Sequence, residues 1–132
     1  MGGRFVHLDD VQREELDWGS LGWISRPTST GARQLTVIDV RLEPGEGHDF
    51  HVHPGQEEVI LVEEGQIEQW LETESSVLSP GESVFIGADT VHGSFNTGSV
   101  TARLTVVLGP CLGEDGYVLV DVSSEEPWST LR

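Results

Sequence analysis

The chain has 132 residues, with 23 acids against seven bases and a formal net charge of −16. That length fits one domain, taken as residues 1–132, and can bury a core without metal or disulfide staples. The charge excludes a nucleic-acid binder and docking on anionic lipid, since both need clustered cations.

Along the chain, Met1-Gly2-Gly3-Arg4-Phe5 lacks the apolar stretch of a secretory signal, and Val6 stands where a myristoylation motif needs Ser or Thr. No apolar run approaches the ~20 residues of a membrane span, so no membrane partner and a cytoplasmic location are expected. Only Asp9 to Trp18 reads as potentially helical, one turn or none, with Asp9 or Asp10 as cap and Glu14 and Glu15 near its start. From there the apolar pattern has a period near two, the signature of strands. Thr36, Ile38, Val40 and Leu42 alternate with a set that includes Asp39 and Arg41, and Pro44-Gly45 then marks a turn. Glu58 to Val62 is denser, as a strand covered on both faces would be, and Gly65 ends it. After Pro80-Gly81, the set Val100, Ala102, Leu104, Val106 and Leu108 repeats the alternation up to Gly109-Pro110, and Tyr117 to Val122 reads as one more strand. The polar tail, Ser123 to Arg132, is expected to fray or pack loosely. Many short strands with turn residues between them predict an all-β sandwich or barrel.

The histidines carry the chemistry. His51 and His53 are two apart, so in a strand they share a face about 6–7 Å apart, close enough for both imidazoles to reach one ion. Pro54-Gly55 turns the chain back, and Glu57 or Glu58 can then offer a carboxylate to the same point. Nitrogen and oxygen donors of this kind suit a divalent first-row metal. Alone, a His-x-His pattern is weak evidence, because short motifs recur by accident.

Its surroundings are more specific. Gly45, five residues, His51-Val52-His53, four residues, Glu58, six residues and Gly65 make up one pattern. Gly81, five residues, Gly87, then Asp89, His92 and Asn96 make a second, after the short connection Gln66 to Pro80. Together they resemble the two signature motifs of the cupin superfamily, in order, over residues 45–96, with flanking strands expected at 34–43 and 100–109. The second motif departs at Gly87, where the family has proline, and at Asp89, where it has glycine. Asp tolerates the left-handed backbone better than most residues, so the turn survives.

The resemblance implies a double-stranded β-helix, a jelly-roll barrel with its core at about 34–122, preceded by a short irregular or helical segment. It implies His51, His53, Glu58 and His92 as ligands of one divalent transition metal ion (Fe, Mn, Ni, Co, Cu or Zn). Glu58 is preferred over Glu57 because it keeps the count to Gly65. Three histidines and a glutamate leave room for a substrate, so the implied activity is that of a dioxygenase or isomerase on a small organic molecule, with Glu58 as candidate base. The alternative is a non-catalytic cupin that binds a metal or small molecule. Homodimer formation through sheet edges or swapped strands is also implied. Around the ligands, His48 is expected on a loop or surface, and Asp49 as a hydrogen-bond partner of an imidazole. Gln56, Gln69 and Arg41 are possible cavity residues, Trp18, Trp23 and Trp70 core or dimer contacts, Asn96 a turn holder and Cys111 an inert thiol.

Overall fold

Alternation of period two becomes two facing antiparallel sheets in the computed structural model, which describes residues 2–132. In chain order the strands are β1 (Arg13–Leu16), β2 (Gly19–Ser25), β3 (Thr36–Leu42), β4 (Gly47–Val52), β5 (Glu57–Glu64) and β6 (Ile67–Leu71). They continue with β7 (Glu74–Leu78), β8 (Ser83–Ile86), β9 (His92–Phe95), β10 (Ala102–Gly109) and β11 (Val120–Asp121). One sheet has the order β1-β2-β3-β10-β5-β8 and the other β11-β4-β9-β6-β7. This is the jelly-roll β-helix that the motifs implied.

The core lies between the sheets. On β3, Ile38, Val40 and Leu42 point inward; on β10 so do Ala102, Leu104, Val106 and Leu108; on β5, Ile60 and Val62. Each large aliphatic side chain fully buried this way contributes roughly 1.5–3 kcal/mol. The register sets Leu108 opposite Glu58 and Glu58 opposite Ile86, so Glu58 ends an inward row rather than facing solvent. Strand β5 is covered on one face only: Leu61, on its outer face, is 37% exposed, contrary to the expectation from its dense apolar run. The glycine closing the first motif is required, because Gly65 has φ +76° and an added Cβ would lie 2.9 Å from Ala102 Cα.

The amino-terminal segment fits the sequence reading, and two others differ from it. Helical structure in Asp9 to Trp18 is limited to a 3₁₀ turn at Leu8–Asp10, and β1 follows it. Pairing with β2, which is itself paired to β3, overrides the weak helical signal there. Regular strand in Tyr117 to Val122 shrinks to Val120–Asp121, because the preceding loop spends its backbone groups on side chains instead: Gln56 Oε1 accepts from Val118 N–H at 3.0 Å. The tail is docked rather than frayed. Trp128 and Leu131 pack against Phe50, Phe95 and Trp70 on the outside of the second sheet, and the Arg132 guanidinium lies 4.0 Å over the Phe95 ring while pairing with Glu68 at 2.8 Å. These contacts make a second apolar core, behind the strands that carry the histidines.

Arg41 lies outside the cavity, on the outer face of the first sheet. There the buried Asp39 carboxylate meets Arg13 at 2.7 Å, Arg41 at 3.2 Å and Arg103 at 3.3 Å. These partners offset the cost of burying a carboxylate with 2% of its side chain exposed.

Candidate metal centre

At one end of the barrel β4 and β9 run side by side, with His51 directly opposite His92. His53 follows the end of β4 and turns into the same space. The ligand-type ring nitrogens of His51, His53 and His92 all lie within 4.8 Å of one another, and all three residues are buried. Glu58 enters from the other sheet: its Oε1 is 2.9 Å from His92 Nε2 and 3.5 Å from His53 Nε2. Glu58 is 5% exposed while Glu57 faces solvent, the division that the count to Gly65 predicted.

Backbone carbonyls fix which nitrogen of each ring faces the cavity. His51 Nδ1 bonds the Asp49 carbonyl at 2.6 Å, His53 Nδ1 the Val118 carbonyl at 2.8 Å and His92 Nδ1 the Thr90 carbonyl at 2.9 Å. A carbonyl only accepts, so each Nδ1 carries the proton, and in the neutral ring Nε2 is left as a lone pair. Three such lone pairs aimed at one point form a metal-binding arrangement, oriented by the bonds behind them. Glu58 Oε1 and His92 Nε2 are also buried without a hydrogen-bond partner, since their 2.9 Å approach is out of alignment. Unpartnered buried polar atoms are costly, and a cation between them removes that cost.

Electrostatics agree. Burial lowers the pKa of His53 and takes that of His51 well below its ordinary value, with the neighbouring imidazoles adding to the effect on His51, so both rings stay neutral. Burial acts against charge at Glu58 and His92 as well. There the mutual attraction wins: with no cation present Glu58 stays ionised below the usual carboxylate range and His92 holds a proton above the usual imidazole range. A divalent cation would displace that proton.

The neighbouring residues sort clearly. Asp49 supports His51 through its backbone carbonyl; its carboxylate instead accepts from Phe50 N–H at 2.8 Å. Gln56 lies outside the cavity and ties down the C-terminal loop by donating to Pro110 and Gly116 carbonyls. Gln69 accepts from Ser94 Oγ at 2.6 Å, and Ser94 lines the cavity. Asn96 holds its turn by donating to the Leu42 and Val100 carbonyls. Asp89 has φ +66°, the left-handed backbone expected of it, and accepts from Gly55 N–H at 3.1 Å, which joins the two motifs. Trp23 and Trp70 pack in the two cores. Cys111 Sγ lies 3.2 Å from Thr36 Oγ1, away from the histidines.

His48 is the residue that the sequence reading missed. The pairing of β4 with β9 shifts register between His48 and His51, so three residues on β4 span two on β9. The extra residue reverses the parity of the strand, and His48 joins His51 in lining the cavity. The cavity, about 30 Å³, is walled by Ile38, Val40, Ile60, Leu104, Val106 and Tyr117. It admits a few atoms beside the histidines.

A two-sheet barrel with three imidazoles and a carboxylate converging at one end defines a class of small proteins built around a single polar site. This chain belongs to the cupin family: the Cupin domain model matches residues 38–108, more than half of the chain. Among curated relatives it is similar to the protein SchB of Streptomyces halstedii, 35% identical over 107 residues that cover 81% of this chain and 78% of SchB. It is also similar to the polyketide synthase protein CurC of Streptomyces cyaneus, 29% identical over 124 residues, 94% of this chain and 80% of CurC. Among solved structures, the fold matches the polyketide cyclase RemF from Streptomyces resistomycificus with a TM-score of 0.73 and 23% identity, covering 98% of this chain and 97% of RemF.

Proposed function

We propose that this cupin is a metal-dependent enzyme that closes a ring in an enolisable, polyketide-type small molecule. In this reading His51, His53, His92 and Glu58 hold one divalent transition ion. The observation that carries it is the set of three Nδ1–carbonyl bonds, which leave three Nε2 lone pairs facing one point beside an unpartnered carboxylate oxygen. The descriptions of CurC as a polyketide synthase and of RemF as a polyketide cyclase support carbonyl-rich substrates over the other chemistries such a site allows.

When bound, the ion supplies Lewis-acid polarisation of a carbonyl. Glu58, ionised and buried, takes the proton from a carbon flanked by two carbonyls, the resulting enolate attacks a further carbonyl of the same chain, and the protonated Glu58 returns its proton to the alkoxide that forms. The apolar walls of Ile60, Leu104 and Val106 exclude water, which would otherwise compete for the reacting groups.

The test begins with protein purified without chelator, its metal measured by elemental analysis. It is then incubated with a synthetic aryl polyketo ester, ring products being followed by mass spectrometry and dioxygen by electrode. Stoichiometric metal and cyclised product without oxygen uptake are expected. Glu58→Gln should lower both metal affinity and turnover, and Glu57→Gln neither. Oxygen uptake would convert the reading to a dioxygenase, and rearrangement without ring closure to an isomerase. Full metal with no conversion would leave a non-catalytic binding cupin. A protein that retains no metal and behaves identically after His51→Ala would end the metal reading.

A further inference from the structure

Of the four imidazoles around the cavity, three are pinned through Nδ1 to backbone carbonyls, and one is not. The ring nitrogens of His48 have no hydrogen-bond partner among the described residues. Stacking holds this ring instead. The His48 and His51 rings lie 3.9 Å apart at 18°, and on the other side Trp18 lies 4.7 Å from His48 at 13°. Trp18, His48 and His51 therefore form a three-ring stack. His51 also meets His92 at 4.2 Å and His53 at 4.9 Å, both in T-shaped contacts.

The outermost ring comes from an unexpected part of the chain. Trp18 sits in the two-residue turn between β1 and β2, before the segment 38–108 that the Cupin domain model matches. Its carbonyl accepts from Glu43 N–H at 3.1 Å, which ties the turn to the segment leading from β3 into β4. The register shift in β4 brings His48 under the indole. Neither element reaches His51 alone: the turn needs His48 as an intermediate ring, and His48 needs a flat surface to lie against.

We infer that Trp18 and His48 are positioning residues for His51, so that the N-terminal hairpin completes the candidate metal centre. The inference rests on the metal-binding reading given above. A single Nδ1 bond leaves the ring of a histidine free to tilt about that bond, and the stack removes the freedom. Parallel aromatic faces at these separations attract each other beyond simple area burial. Groups that orient a ligand histidine typically change metal affinity 10–100-fold when lost.

The experiment uses the full chain and cobalt(II), whose visible absorption reports coordination geometry. Trp18→Leu and His48→Leu keep bulk and lose the flat ring, whereas Trp18→Phe and His48→Phe keep one. Each Leu variant should weaken cobalt binding about 10-fold or more and change the cobalt spectrum, while each Phe variant restores most of the affinity and the parent band shape. Because the stack acts as a unit, the double Leu variant should be little worse than either single one. Thermal melting of the metal-free proteins separates loss of fold from loss of site, and the Phe variants keep the test open where a Leu variant folds poorly. Leu variants that keep the parent affinity and spectrum, or Phe variants as impaired as their Leu counterparts, would overturn the inference while parent binding stands. A parent protein that does not bind cobalt would instead remove the metal reading, and this inference with it.

Discussion

Strand β4 has two faces that solve opposite problems. Inward, His48 and His51 crowd polar rings into a space that desolvates them, lowering the His48 pKa from 6.5 to about 4, mainly by burial. Outward, Phe50 is 1% exposed in an apolar cluster with Phe95, Val91 and Val122, covered by Trp128 and Leu131. The inner face holds groups that stay neutral or unpartnered at a cost to stability, and the outer face is oil against oil. A site of buried, partly unpartnered polar groups therefore rests on a strand anchored from behind. Stability and site chemistry are carried by alternate residues of the same segment, so they should separate under mutation.

The largest effect is expected from Phe50→Ala. Removing a fully buried phenyl ring costs about 3–5 kcal/mol, read as a lower midpoint in guanidinium unfolding. Metal stoichiometry at low temperature should survive, since no ligand is touched; loss of the metal from a folded variant would show that the two faces are not separable. Deleting Ser123 to Arg132 comes next. It uncovers the outer cluster and removes the partly buried Trp128 and Leu131, together with the Arg132–Phe95 stack, without opening the inner cavity. The expected loss is about 2 kcal/mol, less than for two fully buried side chains. No change in midpoint would mean that the tail is not docked in solution.

How much of this could be read in the sequence follows from how local each determinant is. The His51–His53 pair depends only on two residues of spacing at the end of β4, and the inward placement of Glu58 rather than Glu57 only on a count to Gly65, so both placements were legible. Asp89 was legible too, because a left-handed residue in a turn is a local requirement. His48 was not. Its side of the strand is set by a register shift against β9, some 44 residues later in the chain, and no pattern within β4 announces it. The tail was misread for a similar reason. Its ten residues are mostly polar, and the surface that orders Trp128 and Leu131 exists only once β4, β6 and β9 have been brought together. In Asp9 to Trp18 the helical signal yields one 3₁₀ turn, and the rest pairs with β2, which is held in turn by β3.

The smallest of these effects distinguishes the two faces without touching either. In metal-free protein, folding lowers the pKa of His48, His51 and His53, chiefly by burial. Below pH 6.5 the unfolded chain takes up protons on these residues that the folded chain refuses, so stability falls as pH drops from about 6.5 toward 4. Glu58, lowered by His92 and its neighbours against the effect of burial, stabilises above the ordinary carboxylate range and loses that contribution at still lower pH. His92 opposes the trend: its raised pKa stabilises at low pH, and that contribution fades as pH rises through its folded value. Three lowered rings outweigh one raised ring, so the net slope is a loss on acidification. Melting temperature measured from pH 7 to pH 4.5 in the presence of chelator checks this. Phe50→Ala and the tail deletion should lower the whole curve and keep its slope, whereas His48→Phe should flatten the slope. A slope that His48→Phe leaves intact would assign the acid sensitivity to His51 and His53 alone, and would mean that the His48 ring is solvated in solution.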